Sequence, residues 1–199
     1  MSKLLLPPGD PVCNVVAQLA AHRVFNAAGM DFDCWRAIRA AGVDLDHATN
    51  INGPIVRKLV SFTAWGGFEF DPLGETGFVT AVHGEDAATI VDLVAWSARD
   101  PELFGTYCGA GVLGLDSLLN PASYAGGNPC MLLETPLKWL KAGCQGVACV
   151  LDYRAARDAL HIAPGPLTAE TMDLAESLLR SGIIPARKLL LPAHWRAAA

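Results

Sequence analysis

Two short apolar runs with a helix signal between them constrain this chain more than any other feature. Residues 129–152 read PCMLLETPLKWLKAGCQGVACVLD. Met131-Leu-Leu-Glu134 and Gly146-Val-Ala-Cys-Val-Leu151 are too short for helices and too apolar for exposed strands. Between them Thr135 is a natural N-cap, Pro136 suits a first helical position, and Gly143 marks a stop. Strand, helix and strand in so few residues make a βαβ unit, whose two strands should run parallel. Leu132, Leu133, Leu137, Leu140, Val147, Cys149 and Leu151 are its expected buried contacts.

The rest is read outward from that unit. Residues 12–28 predict a helix with Val12, Val16, Leu19 and Ala20 as its apolar positions and Gly29 as its stop. Asp33 is expected to cap a second helix, with Trp35 and Ile38 inward and Gly42 closing it. Pro54 predicts the start of a third, with Ile55, Leu59 and Phe62 on one face. From Gly66 the period shortens to that of strands. Phe68-Glu-Phe70, Gly77–His83 and Leu103–Cys108 are three of them. Residues 86–98 fit a strand through Ile90, Val94 and Trp96, or a helix capped by Asp86; the strand is preferred. After the βαβ unit come a helix over 153–160, a helix from Thr168 to Gly182 with Leu167 and Met172 as a hydrophobic staple, and a strand over 188–191. The fold class is α/β (or α+β): N-terminal helices, an antiparallel meander, then the parallel unit and C-terminal helices. The expected division is a helical region 1–65 and an α/β domain 66–199, or one compact domain.

Composition excludes several classes. Of 199 residues, 52% are hydrophobic and 18% charged, too apolar for a disordered tail. Residues 1–133 carry 7 Lys/Arg against 14 Asp/Glu, and residues 134–199 carry 8 against 6. Neither half has the basic patch of a nucleic-acid binder. A helix-turn-helix reading of the first third fails on Asn52-Gly53-Pro54, where only Arg57 and Lys58 are basic. The apolar run at Leu4–Leu6 is too short for a signal peptide, and no stretch suits a membrane span. A soluble, cytoplasmic chain without disulfides is expected. Cys13, Cys34, Cys108, Cys130, Cys144 and Cys149 show no CxxC, and His22, His47, His83, His161 and His194 show no ligand spacing. His83-Gly-Glu85-Asp86 is read as a hairpin turn. There is no Walker loop and no Gly-x-Ser-x-Gly elbow.

Two motifs bear on chemistry. Gly109-x-Gly111-x-x-Gly114 has the spacing of a dinucleotide-binding turn, and Glu134 follows 20 residues after Gly114. Asn120-Pro121 stops the helix that such a turn must launch, so a close-packed glycine turn is preferred. Glu134 and Asp152 each end one strand of the βαβ unit, so both should emerge on the edge where parallel sheets bind ligands. Paired carboxylates there can hold Mg²⁺ for phosphoryl chemistry, or simply precede helix N-termini.

The run over residues 129–152 resembles the opening half of a Toprim segment, as in primases and some nucleases, with Glu134 at that family's catalytic Glu. Thr135 stands where the family has Gly, and no Asp-x-Asp follows. The expectation is therefore a non-catalytic binding or accessory protein without a cofactor. Its partner is expected to be a protein rather than nucleic acid, with a homo-oligomer open. What the resemblance implies instead is a metal-dependent phosphoryl-transfer enzyme of nuclease or primase type, using Glu134, Asp152 and Mg²⁺. A second alternative is dinucleotide binding through Gly109, Gly111 and Gly114.

Overall fold

Alternating burial along the middle of the chain produces the first sheet. The computed structural model describes residues 11–26 and 32–190. Strands β1 (Val56–Phe62), β2 (Phe68–Phe70), β3 (Glu75–His83), β4 (Ile90–Ser97) and β5 (Phe104–Thr106) pair antiparallel in the order β2-β1-β3-β4-β5. Along β3 and β4 successive side chains enter different cores. Val79, Leu93 and Ala95 pack toward helix α1 (Pro11–Asn26), while Phe78, Val82, Val94 and Trp96 join the core shared with the second sheet. The period of two therefore serves two layers at once.

The second sheet is mixed. Its strands are β6 (Val112–Leu113), β7 (Cys130–Leu133), β8 (Val147–Val150), β9 (Leu167–Ala169) and β10 (Leu189–Leu190), in the order β10-β9-β7-β8-β6. The strands β10, β9, β7 and β8 are parallel, and β6 closes the edge antiparallel to β8. The βαβ unit is as expected. Helix α5 (Pro136–Lys141) is capped by Thr135 Oγ1, and Met131, Leu132 and Leu133 pair in parallel with Val147, Ala148 and Cys149. Five of the seven expected contacts are buried, and Leu137 and Leu151 are half-buried. Leu133, Val147 and Cys149 face the shared core. Leu132, Ala148 and Val150 face helices α4 (Leu115–Leu119), α6 (Tyr153–Ile162) and α7 (Met172–Arg180) on the far side. Meander, preferred strand over 86–98 and parallel unit together make the mixed α/β fold that was expected. Among the described residues no helix is long and apolar enough to cross a membrane.

Four local expectations are corrected. Residues 56–62 are strand β1, not the third helix; that helix is α3 (Leu45–Asn52), capped by Asp44 and ended by Gly53 at φ 83°. Ile55, Leu59 and Phe62 have helical spacing, but the pairing of β1 with both β2 and β3 satisfies its backbone groups, and tertiary hydrogen bonding overrides local pattern. Residues 167–169 are strand β9, not the start of a helix. Its ladder is extended by Cys130 N–H donating to Pro166 O (3.0 Å) and Glu170 N–H to Leu132 O (2.9 Å). Leu167 is fully buried in the sheet and Met172 is exposed, so they form no staple. Helix α1 buries Cys13, Ala17, Ala21 and Val24, and exposes Val12, Val16 and Leu19. Its small residues allow the close approach to β4, leaving the larger ones outside. Asp33 lies within the first turn of α2 (Phe32–Ala40) rather than at its cap, although Ile38 is buried as expected. The expected stop at Gly29 and Leu191 lie outside the described residues.

Trp139 on α5 locks the unit together. It is fully buried, and its Nε1 donates to Val147 O at 3.3 Å. Trp139→Ala is expected to cost about 3–5 kcal/mol, the range for removing a buried aromatic. Urea unfolding checks this, and a loss below about 1 kcal/mol would contradict the packing role.

Candidate functional site

The parallel strands deliver three acids to one edge. Glu134 follows β7, Asp152 follows β8 and Glu170 follows β9. This edge is the usual ligand-binding edge of a parallel sheet. Asp152 caps α6, its Oδ1 accepting from Ala155 N–H at 2.6 Å. Glu134 has a different setting. Its Oε1 accepts from Thr171 Oγ1 at 2.6 Å and its Oε2 from Lys138 Nζ at 2.6 Å. The same Nζ lies 3.1 Å from Glu170 Oε2. One ammonium thus sits between two carboxylates from neighbouring strands.

Partial burial pushes the Glu134 carboxyl up, but the hydrogen bonds from Lys138 and Thr171 outweigh it and the net direction is down. Burial alone would push the Lys138 ammonium down; Glu134 and Glu170 more than reverse this. The Glu134 and Lys138 charges hold each other ionised. Thr171 belongs to the same network, because its Oγ1 also accepts from Leu174 N–H (3.1 Å) and caps α7.

The edge therefore couples Glu134 with Glu170, a residue that sequence reasoning missed. Its signal was present in Pro166-Leu-Thr-Ala-Glu170-Thr171: two buried positions flanking a partly exposed Thr168, then an acid, then an N-cap. Reading a helix there hid the strand end. Lys138, four residues after Glu134 on a capped helix, was also legible as an ion-pair partner.

The glycine motif has its own internal ion. Asp92 on β4 is fully buried, and its carboxylate accepts from the N–H groups of Leu93, Cys108 and Ala110, each at 2.7 Å. Two of these amides belong to the loop that would have to cradle a phosphate. Gly111 meets the backbone of Ala155 and Ala156, so a Cβ there would overlap α6. Gly114 lies at φ 84° and a Cβ would stand 2.7 Å from Trp139 Nε1. Helix α4 ends before Asn120 after five residues. Gly111 O accepts from Leu151 N–H (2.8 Å) and Asp152 N–H (3.2 Å), tying the loop to the end of β8. These contacts are the ones a close-packed glycine turn requires.

Other candidates resolve locally. Asp86 accepts from Ala88 N–H, Thr89 N–H and Thr89 Oγ1, and Gly84 N–H donates to Thr89 O (2.9 Å), so Gly84–Thr89 is a closed hairpin turn. The Cys130 and Cys144 thiols are pushed up to about 12, and Cys149 well above its ordinary value, by burial first. Thiols held protonated are poor nucleophiles. Among the described residues no three His, Cys, Asp or Glu side chains gather as a metal ion would need.

Two measurements test this geometry. Gly111→Ala should lose about 1–3 kcal/mol through overpacking against α6, read by urea unfolding; a neutral result would contradict the contact. Asp92 supplies the second. Burial raises its carboxyl from 3.8 to about 6, against the opposing amides of Ala110, Leu93, Cys108 and Tyr107. The folded chain then binds more protons than the unfolded chain across that window. Stability contributed by Asp92 falls as pH rises from about 4 to about 6, with a limiting slope of about 1.4 kcal/mol per pH unit. Asp92→Asn removes this component, so the difference in stability between wild type and variant should shrink across the window. A difference that grows with pH would place the folded value below the unfolded one.

No protein-family model matches the chain, and no curated protein matches it. Among solved structures it is similar to one described as the crystal structure of the Aquifex aeolicus primase (zinc binding and RNA polymerase domains). The TM-score is 0.61 at 10% identity, over 96% of this chain and 57% of that one. At that identity the likeness is one of fold, and the chain spans little more than half the length of the primase chain.

Proposed function

We propose that this chain is a non-catalytic binding or accessory module carried on a primase-like fold. The observation that carries the reading is the Lys138 ammonium, 2.6 Å from Glu134 and 3.1 Å from Glu170. Two carboxylates at the ends of parallel strands would need a cation between them to serve as a phosphoryl-transfer site. Here the chain's own lysine occupies that position and neutralises half the charge. The departure from the Toprim pattern points the same way. The strand beyond the βαβ unit is followed by Glu170-Thr171-Met172 where that family's Asp-x-Asp would be sought, which leaves an oxygen-seeking ion short of ligands. Asp152 is spent on capping α6.

The second reading, a metal-dependent phosphoryl-transfer enzyme of primase type, draws support from the likeness to a structure that includes an RNA polymerase domain. Thermal melting with and without millimolar Mg²⁺ or Mn²⁺ separates the two, alongside RNA synthesis and nuclease assays on single-stranded DNA. The binding-module reading expects no metal-dependent shift and no product. A stabilisation by Mg²⁺ that disappears in Glu134→Gln and Glu170→Gln, with synthesis or cleavage lost in the same variants, would establish the enzyme. Lys138→Ala should cost only about 1 kcal/mol, because the ion pair is partly exposed.

A further inference from the structure

Two of the six cysteines meet where α1 crosses the segment leading out of β5. Cys13 lies in the first turn of α1 and is 7% exposed; Cys108 follows β5 and is half-buried. They are 95 residues apart in the chain, and the Cys108 thiol donates to Cys13 O at 3.7 Å. Both are placed against β4. Cys13 is on the face of α1 that packs there, while Cys108 N–H donates to Asp92 Oδ1 (2.7 Å) and Tyr107 N–H to Leu93 O (2.9 Å). Both line a cleft of about 410 Å³ between α1, the turn joining β1 to β2, and the ends of β5 and β8. Both also line a cavity of about 250 Å³ between α1, β4, α4 and α6. No other cysteine is among the described residues lining either space. Cys130, Cys144 and Cys149 sit in the core instead, where burial holds them protonated.

We propose that Cys13 and Cys108 form a reversible disulfide when the chain meets a hydroperoxide, and that this bond clasps α1 to the segment that binds Asp92. Cys108 is the more exposed of the two and reacts first. Its sulfur attacks one peroxide oxygen, the O–O bond breaks, and the products are a sulfenic acid and one water. The Cys13 sulfur then attacks the Cys108 sulfur, the S–O bond breaks, and a second water leaves with the Cys13 proton. Two thiols are oxidised by two electrons and the peroxide is reduced by two. A dithiol reverses the step by exchange. The cross-link joins parts of the chain that are far apart in sequence, so it removes freedom mainly from the unfolded state and stabilises the fold. In the reduced chain α1 is held by packing alone, through small residues such as Ala17 and Ala21 against β4. Oxidation therefore changes how firmly one helix is held without touching the strand edge, and the proposal is independent of whether that edge binds or catalyses.

The test treats the full reduced chain with hydrogen peroxide in equimolar amount, blocks remaining thiols, and maps the digest by mass spectrometry without reductant. The expected product is one cross-linked peptide pair joining Cys13 to Cys108, formed at a rate independent of protein concentration, with two of the six thiols lost. The melting temperature should rise by several degrees and return to its starting value on adding dithiothreitol. Cys108→Ser, which keeps a hydroxyl donor toward Cys13 O, should abolish both the cross-link and the rise. The wild-type digest decides the pairing even if a variant folds poorly. Thiols that all survive the peroxide overturn the proposal. So do a cross-link between any other two cysteines, a cross-link between two chains, or Cys108 carried to sulfinic acid with Cys13 still reduced. A Cys13–Cys108 bond that leaves the melting temperature unchanged or lowers it overturns the clasp.

Discussion

A carboxylate buried where the chain passes from one sheet to the other organises the rest of the structure. Asp92 sits on a central strand of the antiparallel sheet, and besides Leu93 N–H it binds two amides of the segment leading into β6 of the mixed sheet. A buried charge without partners would be strongly unfavourable, so the loop must keep its N–H groups turned inward. That requirement shapes the glycines. Gly109 adopts φ 92° beside the clamp, and the Gly111 carbonyl then accepts the amides of Leu151 and Asp152 at the end of β8. One continuous run of hydrogen bonds thereby connects the antiparallel sheet to the end of β8 in the mixed one.

The same logic governs the edge where the parallel strands end. Lys138 stands between the Glu134 and Glu170 carboxylates, and Asp92 holds the amides of Cys108 and Ala110. In both places the counter-ion is covalently part of the chain. An internal ion is present at an effective concentration that a dissolved one cannot match, and it remains as long as the fold does. Thr171 joins both functions, donating to Glu134 while capping α7, so the network also fixes how that helix leaves the sheet.

The legible parts of the fold are those where several local signals agree. Residues 130–151 combine apolar runs, the Thr135-Pro136 start and the Gly143 stop, and every element formed where these place it. Signals conflicted elsewhere. Pro54 and the spacing of Ile55, Leu59 and Phe62 suggest a helix, yet the partners of β1 lie downstream and are invisible to a local pattern. Strand β9 is three residues long, too short for alternation to register, so Glu170 stayed hidden with it. In α1 apolar residues lie on more than one face, and the mostly small set Cys13, Ala17, Ala21 and Val24 is the one that packs inward. The candidate edge was legible in Glu134 and Asp152; the partner that meets Glu134 was not, because pairing across strands is a property of topology.

In this fold, which is similar to that of a primase structure, stability resides away from the edge where the strands end. The shared core takes Phe78, Val94 and Trp96 from one sheet and Leu133, Val147 and Cys149 from the other, with Trp139 between them. Losing any large member costs several kcal/mol. The Glu134–Lys138–Glu170 cluster is partly exposed, and such pairs contribute about 1 kcal/mol or less. Side chains at the edge can therefore be replaced with little effect on folding, whereas core residues cannot. Likeness of fold then reports on the core, and the reaction, or its absence, has to be read from the few side chains at the strand ends.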